Sequence, residues 1–308
     1  MVEDRALVCA FVLHGTGGAR EIGWPEIGSW HTDEGVLWVH LEHGEPATAQ
    51  WLREESGLEP FVCNALLADE TWPRAVSVGD GLLVILRGVN LNPHADPEDM
   101  VSIRMWLDGR RVISVRLRPL LAIEDICGNL RSGVGPRDPG SFLETVAELL
   151  VARMDPVLAD IHDRVAALEH DVLEDSRVQT RTRIADLRRQ VIQLRRYLAP
   201  ERDVILRLVS ESMWWLSDND RTRLREVADR VTRYLEELDA ARDRAAVTQE
   251  QLSMQIAEKI NKTMYILSLV ATMFLPLGFV TGLWGSTWAT CPVPSGPGDS
   301  RSFVRFSR

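Results

Sequence analysis

Two groups of residues in this chain have types and spacings that could do chemistry, and both concern cations. The first is a row near the carboxyl end: Asn261, Met264, Ser268, Ala271, Leu275, Gly278, Gly282 and Gly285 recur at steps of three and four. On an α-helix that spacing is one face, here small or weakly polar. Small faces let helix backbones approach each other, so plain helix packing is one reading. The other is that symmetric copies surround an axis, where side-chain and backbone oxygens meet a hydrated cation and Leu267 and Leu275 constrict the path. The row holds no carboxylate. A divalent ion would therefore cross largely hydrated, because stripping it without charged ligands is costly.

The second group is His31, His40 and His43 with Glu34 and Glu42, since imidazole and carboxylate both bind zinc. On a strand His40 and Glu42 share a face and His43 does not, so scattered surface histidines are expected rather than a metal centre. Acidic residues such as Asp96, Glu98 and Asp99 read either as sensors of divalent ions between subunits or as a solvated loop. The arginines between positions 177 and 196 have Asp186 and acidic neighbouring helices as partners. Together with a net charge of -10, this excludes nucleic acid as a partner. No nucleophile with its base, phosphate-binding glycine loop or HExxH motif is present, so no enzyme and no resident cofactor are expected.

Elements must position these residues. Strand patterns cover residues 6–13, 35–41, 81–89, 101–107 and 111–117, the last two joined by Asp108-Gly109, a hairpin signal. Short helices are predicted at 47–56 and 60–69. Past Pro119 the pattern becomes helical. Residues 141–197 carry apolar positions at helical spacing, with Pro156 expected to kink or restart the helix, and Asn219-Asp220 reads as a turn. Leu224, Val227, Val231, Tyr234, Leu238, Ala241, Ala245, Thr248 and Leu252 then make one stripe of a long helix, as in a bundle or coiled coil.

That stripe continues through Ile256 and Ile260 into residues 265–284, which contain no charged side chain. At about 1.5 Å per residue they cover about 30 Å, the hydrocarbon thickness of a bilayer. Pro276 inside the run suits a span whose neighbours satisfy the freed backbone groups. Cys9, Cys63, Cys127 and Cys291 form no CxxC pair, which suits a reducing compartment for the bulk of the protein. Glu3, Asp4 and Arg5 precede too short an apolar stretch for a secretory signal.

The segment from Asn261 to Gly285, with Leu-Pro-Leu-Gly-Phe around Pro276 and Thr281-Gly282 after it, resembles the first transmembrane helix of the CorA superfamily of divalent-metal transporters. The same segment and the upstream Arg87-Gly-Val-Asn-Leu-Asn-Pro stretch resemble its ZntB-like zinc branch. The resemblance implies an α+β/α-helical membrane protein with an N-terminal α/β cytosolic domain (1–140), long stalk helices (141–260), a C-terminal transmembrane helix (261–285) and an atypical tail (286–308). It implies a homopentamer in a bacterial-type inner membrane, its first transmembrane helices around the pore and its N-terminal domain in the cytoplasm. The transported divalent cation would be zinc. Asn261, Met264, Leu267, Ser268, Ala271, Leu275, Gly278, Gly282 and Gly285 would lie along the ion path.

The family's Gly-x-Asn motif and second hydrophobic helix do not follow Gly285 in this chain. Three prolines and late arginines stand there instead. A frame shifted one base to the left from the Gly285 codon permits glycine, valine, asparagine, so the tail is expected to be a frameshifted reading. Transport is then expected of the intact gene and defective in this polypeptide. The alternative from another class is a single-span, membrane-anchored coiled-coil interaction or sensor protein.

Overall fold

The computed structural model describes residues 5–174 and 178–288. The tail after position 288, with Cys291, the Gly-x-Asn question and the frameshift, lies outside the described residues. The chain divides at Gln251–Leu252 into two compact units.

The first unit is built on a seven-stranded sheet. Its strands are β1 (Leu7–Leu13), β2 (Ala19–Glu21), β3 (Val36–Glu42), β4 (Arg74–Val78), β5 (Gly81–Gly88), β6 (Val101–Leu107) and β7 (Arg111–Arg116), in the order β2-β1-β3-β7-β6-β5-β4. β3 and β7 pair in parallel, with Leu37 opposite Arg111 and Glu42 opposite Arg116. The other neighbours are antiparallel. The β6–β7 hairpin closes because Asp108 Oδ1 accepts the N–H groups of Arg110 and Arg111 at 3.1 and 2.8 Å. Gly109 supplies the positive φ of +81° that the turn needs. A Cβ there would also strike the ring of Trp214 at 2.5 Å, so the turn lies close against that indole.

Helices α1 (Trp24–Ser29), α2 (Pro46–Glu54) and α3 (Pro60–Leu66) cover one face of the sheet. There Ala10, Val12, Leu37, Val39, Leu41, Ile113 and Val115 pack with Trp51, Leu52, Val62 and Leu66 in one buried cluster. On the other face Trp38 stacks on Phe11 at 5.6 Å and meets Phe142 at 4.7 Å. Phe142 belongs to α5 (Pro139–Ala152), which packs beside α4 (Leu121–Ser132). Alternation along the strands feeds both layers. Each fully buried aliphatic side chain contributes about 1.5–3 kcal/mol.

The remaining helices are α6 (Asp155–Glu174), α7 (Val178–Ser210) and α8 (Asp218–Trp288). Pro156 restarts the chain in the first turn of α6, where its missing N–H has no partner to lose. Pro200 stands inside α7, and the helix continues through it. Asn219 and Asp220 belong to the first turn of α8 rather than to a loop, because Asp220 Oδ2 accepts the Ser217 N–H at 3.0 Å and caps the helix. The turn falls instead at Trp214 and Trp215. The predicted stripe from Leu224 through Ala245 to Thr248 is buried. Charged pairs flank it: Arg230 with Glu148 of α5 at 2.8 Å, and Arg244 with Glu169 of α6 at 2.6 Å.

Candidate functional site

The candidate site is the apolar stretch of α8 in the second unit. Its best window has a mean hydropathy of 2.0 with 0% buried within the chain. The helix holds although Pro276 removes one N–H. Threonine hydroxyls turn inward to backbone carbonyls, Thr272 to Ser268 at 2.8 Å and Thr281 to Leu277 at 2.9 Å. These threonine hydroxyls are thereby satisfied within the helix itself, as a hydrocarbon setting requires.

Every residue of the predicted row lies within α8. Asn261, Met264, Leu267, Ser268, Ala271, Leu275, Gly278 and Gly282 are exposed in the single chain, Leu275 by 77%. Gly285 falls inside the helix bounds. With helical geometry the row makes one face and Leu267 stands at its edge. A Cβ at Gly278 or Gly282 would meet nothing within 4 Å. No packing inside the chain therefore demands glycine at these positions. A strict three-and-four repeat also drifts slowly around a straight helix, which favours left-handed winding of helices that pack through such a stripe.

The histidine group separates. Glu34 pairs with Arg20 at 2.9 Å and accepts the His31 N–H at 3.1 Å. The His43 imidazole meets the Leu67 carbonyl at 2.9 Å, and Glu42 holds Arg116 at 2.9 Å. His40 is not a surface residue: it is fully buried, with Nδ1 2.8 Å from Ser114 Oγ. Burial first, and then the Arg116 charge, lower its pKa to about 3, so the ring is neutral. Strand alternation places His40 on the inner face beside Trp38, and polarity alone gave no sign of that. Among the described residues no three His, Cys, Asp or Glu side chains form a metal-holding group.

The acidic loop and the basic helix are tied into the first unit. Glu98 accepts from Gln190 of α7 at 3.0 Å. Arg189 pairs with Asp186 at 3.2 Å, Arg183 with Asp171 and Arg195 with Asp239. Glu98, Asp99, Arg87, Arg196 and Tyr197 line a cavity of about 260 Å³.

A polar cluster that spacing did not reveal lies next to this cavity. Arg87 sits 4.3 Å over the Tyr197 ring and donates to the Thr71 carbonyl at 2.6 Å and the Met100 carbonyl at 2.7 Å. Its backbone N–H meets Glu201 of α7 at 3.2 Å. Burial pushes the Glu201 carboxyl up to about 8, against the pull of the Arg87 N–H and guanidinium. The Arg87-Gly-Val-Asn-Leu-Asn stretch was the available signal, and its structural work is to lock β5 to the loops and to α7. Asn90 Oδ1 accepts the Asn92 amide at 2.7 Å, which in turn reaches the Pro119 carbonyl at 3.1 Å.

Comparison with known proteins bears on the fold and the family. The family model described as CorA-like Mg2+ transporter protein matches residues 33–298. The divalent cation transporter CmaX of Pseudomonas aeruginosa is 41% identical over 298 residues, covering 96% of this chain and 90% of that protein. The zinc transport protein ZntB of Pectobacterium carotovorum is 38% identical over 296 residues, covering 96% and 89%. The structure of full-length CmaX superposes with a TM-score of 0.85 at 43% identity, covering 91% of this chain and 86% of that one. A sheet-based α/β unit, a long terminal helix with one apolar stretch, and a family match over most of the sequence place this chain in the CorA-like Mg2+ transporter family.

Proposed function

We propose that this chain is a subunit of a divalent-cation transporter whose cargo is zinc, assembled as a homopentamer with the small-residue face of α8 turned toward a central ion path. The observation that carries this reading is the exposed three-and-four row from Asn261 to Gly282, on a helix whose residues 265–284 carry no charge and are 0% buried in the single chain. A lone apolar helix in lipid gains nothing from glycines that touch no neighbour, whereas copies around an axis use them to set pore width. Ser268 and Asn261 offer oxygens to a hydrated ion, and Leu267 and Leu275 supply the narrow apolar ring. Zinc follows the likeness to ZntB, and the likeness to CmaX supports a divalent cation. Residues 1–140 then form the cytosolic domain, 141–260 the stalk and 261–285 the span. Lys259 and Lys262 at the amino end of the span favour a cytoplasmic placement of the preceding residues in an inner membrane.

Radioactive zinc uptake into liposomes tests this, with the mass of the detergent-solubilised assembly read in parallel. The 308-residue chain is compared with one whose codons after Gly285 are read in the alternative frame. Zinc uptake by the frame-restored pentamer is the expected result. Correct insertion of both forms with uptake by neither would favour the anchored interaction protein.

A further inference from the structure

Cys9 on β1 and Cys127 on α4 are 118 positions apart in sequence, and the fold brings their sulfurs to 3.3 Å. Both are buried, at 7% and 8% exposure, and neither is in a disulfide. One helical turn beyond Cys127, Arg131 is held by Glu21 of β2 through contacts of 2.6 and 2.9 Å and lies over the Phe11 ring at 5.6 Å. The sulfur–sulfur hydrogen bond, in which either thiol can donate, and then the Arg131 charge hold the Cys127 thiol below its ordinary range, against burial and the Glu21 charge. The same hydrogen bond and burial push Cys9 up. Arg131 stands one turn along the same helix as Cys127, and its charge favours a thiolate there, which assigns Cys127 as the attacking sulfur and Cys9 as the resolving one.

We propose that Cys9 and Cys127 form a redox modification site that hydrogen peroxide converts into an intramolecular disulfide. A metal is the weaker occupant. Two sulfurs bonded to one ion at about 2.3 Å each stand further apart than these do unless the angle at the metal is sharply bent. No third ligand joins them among the described residues, and the Arg131 charge opposes a cation. Closing to an S–S bond of about 2.05 Å needs only a small approach. The Cys127 thiolate attacks one peroxide oxygen, the O–O bond breaks, and the departing hydroxide takes a proton to become water. The Cys9 thiol then loses its proton and its sulfur attacks the sulfenic sulfur of Cys127. That step displaces hydroxide, which leaves as the second water. In sum, two thiols and one peroxide give one disulfide and two waters. The product ties β1 to α4, and in a reducing compartment such a bond is a transient signal.

The test uses the full chain in detergent. Peroxide is added stepwise, free thiols are blocked with N-ethylmaleimide after denaturation, and peptides are mapped without reduction. The expected product is a Cys9–Cys127 linked peptide lighter by two hydrogens, reversed by dithiothreitol. It should be accompanied by a thermal midpoint that rises on oxidation and falls on reduction. Sulfinic acid at Cys127 without the linked peptide would overturn the proposal, as would unchanged thiol labelling or linkage mainly to Cys63 or Cys291. Arg131→Gln is expected to slow formation of the linked peptide several-fold; an unchanged rate would overturn the role given to Cys127.

Discussion

Ser114 shows how much one small side chain can hold. Its hydroxyl takes the Trp38 indole N–H at 2.9 Å and faces His40 Nδ1 at 2.8 Å, all three residues being buried. Neither partner has water to fall back on. Ser114→Ala is therefore expected to cost about 1–3 kcal/mol, more than the loss of an exposed hydrogen bond. Chemical denaturation of the variant checks this, and the loss should shrink in a Trp38→Phe background, where one of the stranded groups is absent.

At the scale of elements, α8 carries two roles on one continuous pattern. Toward its start the stripe of Val231, Leu238 and Ala245 is buried. In the second unit the small face from Ser268 to Gly282 is exposed. If that face borders the ion path, Gly282→Leu should cut zinc flux roughly tenfold or more by narrowing the passage. Met273→Leu, on the opposite side of the helix, should leave flux unchanged. Liposome uptake by the frame-restored chain, with equal amounts of inserted protein, measures both.

The helix was legible in the sequence because its spacing runs for tens of residues without interruption. β6 and β7 were legible because Asp108-Gly109 fixes the hairpin between them. β2 and β4 were not, since Arg20, Glu21 and Arg74 interrupt edge strands that are only half covered. α4 was covered only by the turn to a helical pattern past Pro119, without bounds of its own, because Gly128 weakens its helical signal and Gly133 ends it soon after. That the positions from Asn261 to Gly285 share one face of a helix could be read from their spacing. The Arg87–Glu201 and Cys9–Cys127 contacts could not, because such pairs are set by the path of the chain between them and leave no local pattern.

For the molecule as a whole, stability should depend on pH through two buried groups of opposite sign. The folded state holds His40 at about 3 against 6.5 for the exposed group, so its contribution is full above 6.5 and is lost as pH falls toward 3. Glu201 stands at about 8 against 4.5, so its contribution is full below 4.5 and is lost as pH rises through 8. Between 4.5 and 6.5 the two slopes oppose each other, and above 6.5 Glu201 acts alone. Glu201→Gln is expected to remove the decline between pH 6.5 and 8, where one proton contributes at most about 1.4 kcal/mol per pH unit. Thermal midpoints measured across that range are the check.

The parallel pairing of β3 with β7 also sets an order of events during synthesis. β2, β1 and β3 can assemble from the first residues made, and β4 to β7 form their own meander, because neighbours in each group lie close along the chain. The seam between the groups joins Leu37 to Arg111. A ribosome adding about 5–20 residues per second needs roughly 4–15 s to cover that separation. During that interval β3 presents an open row of N–H and C=O groups, the kind of edge that recruits other chains. The nascent protein thus passes through a sticky half-sheet before its apolar helix is made, and that half-sheet is where a chaperone would be needed.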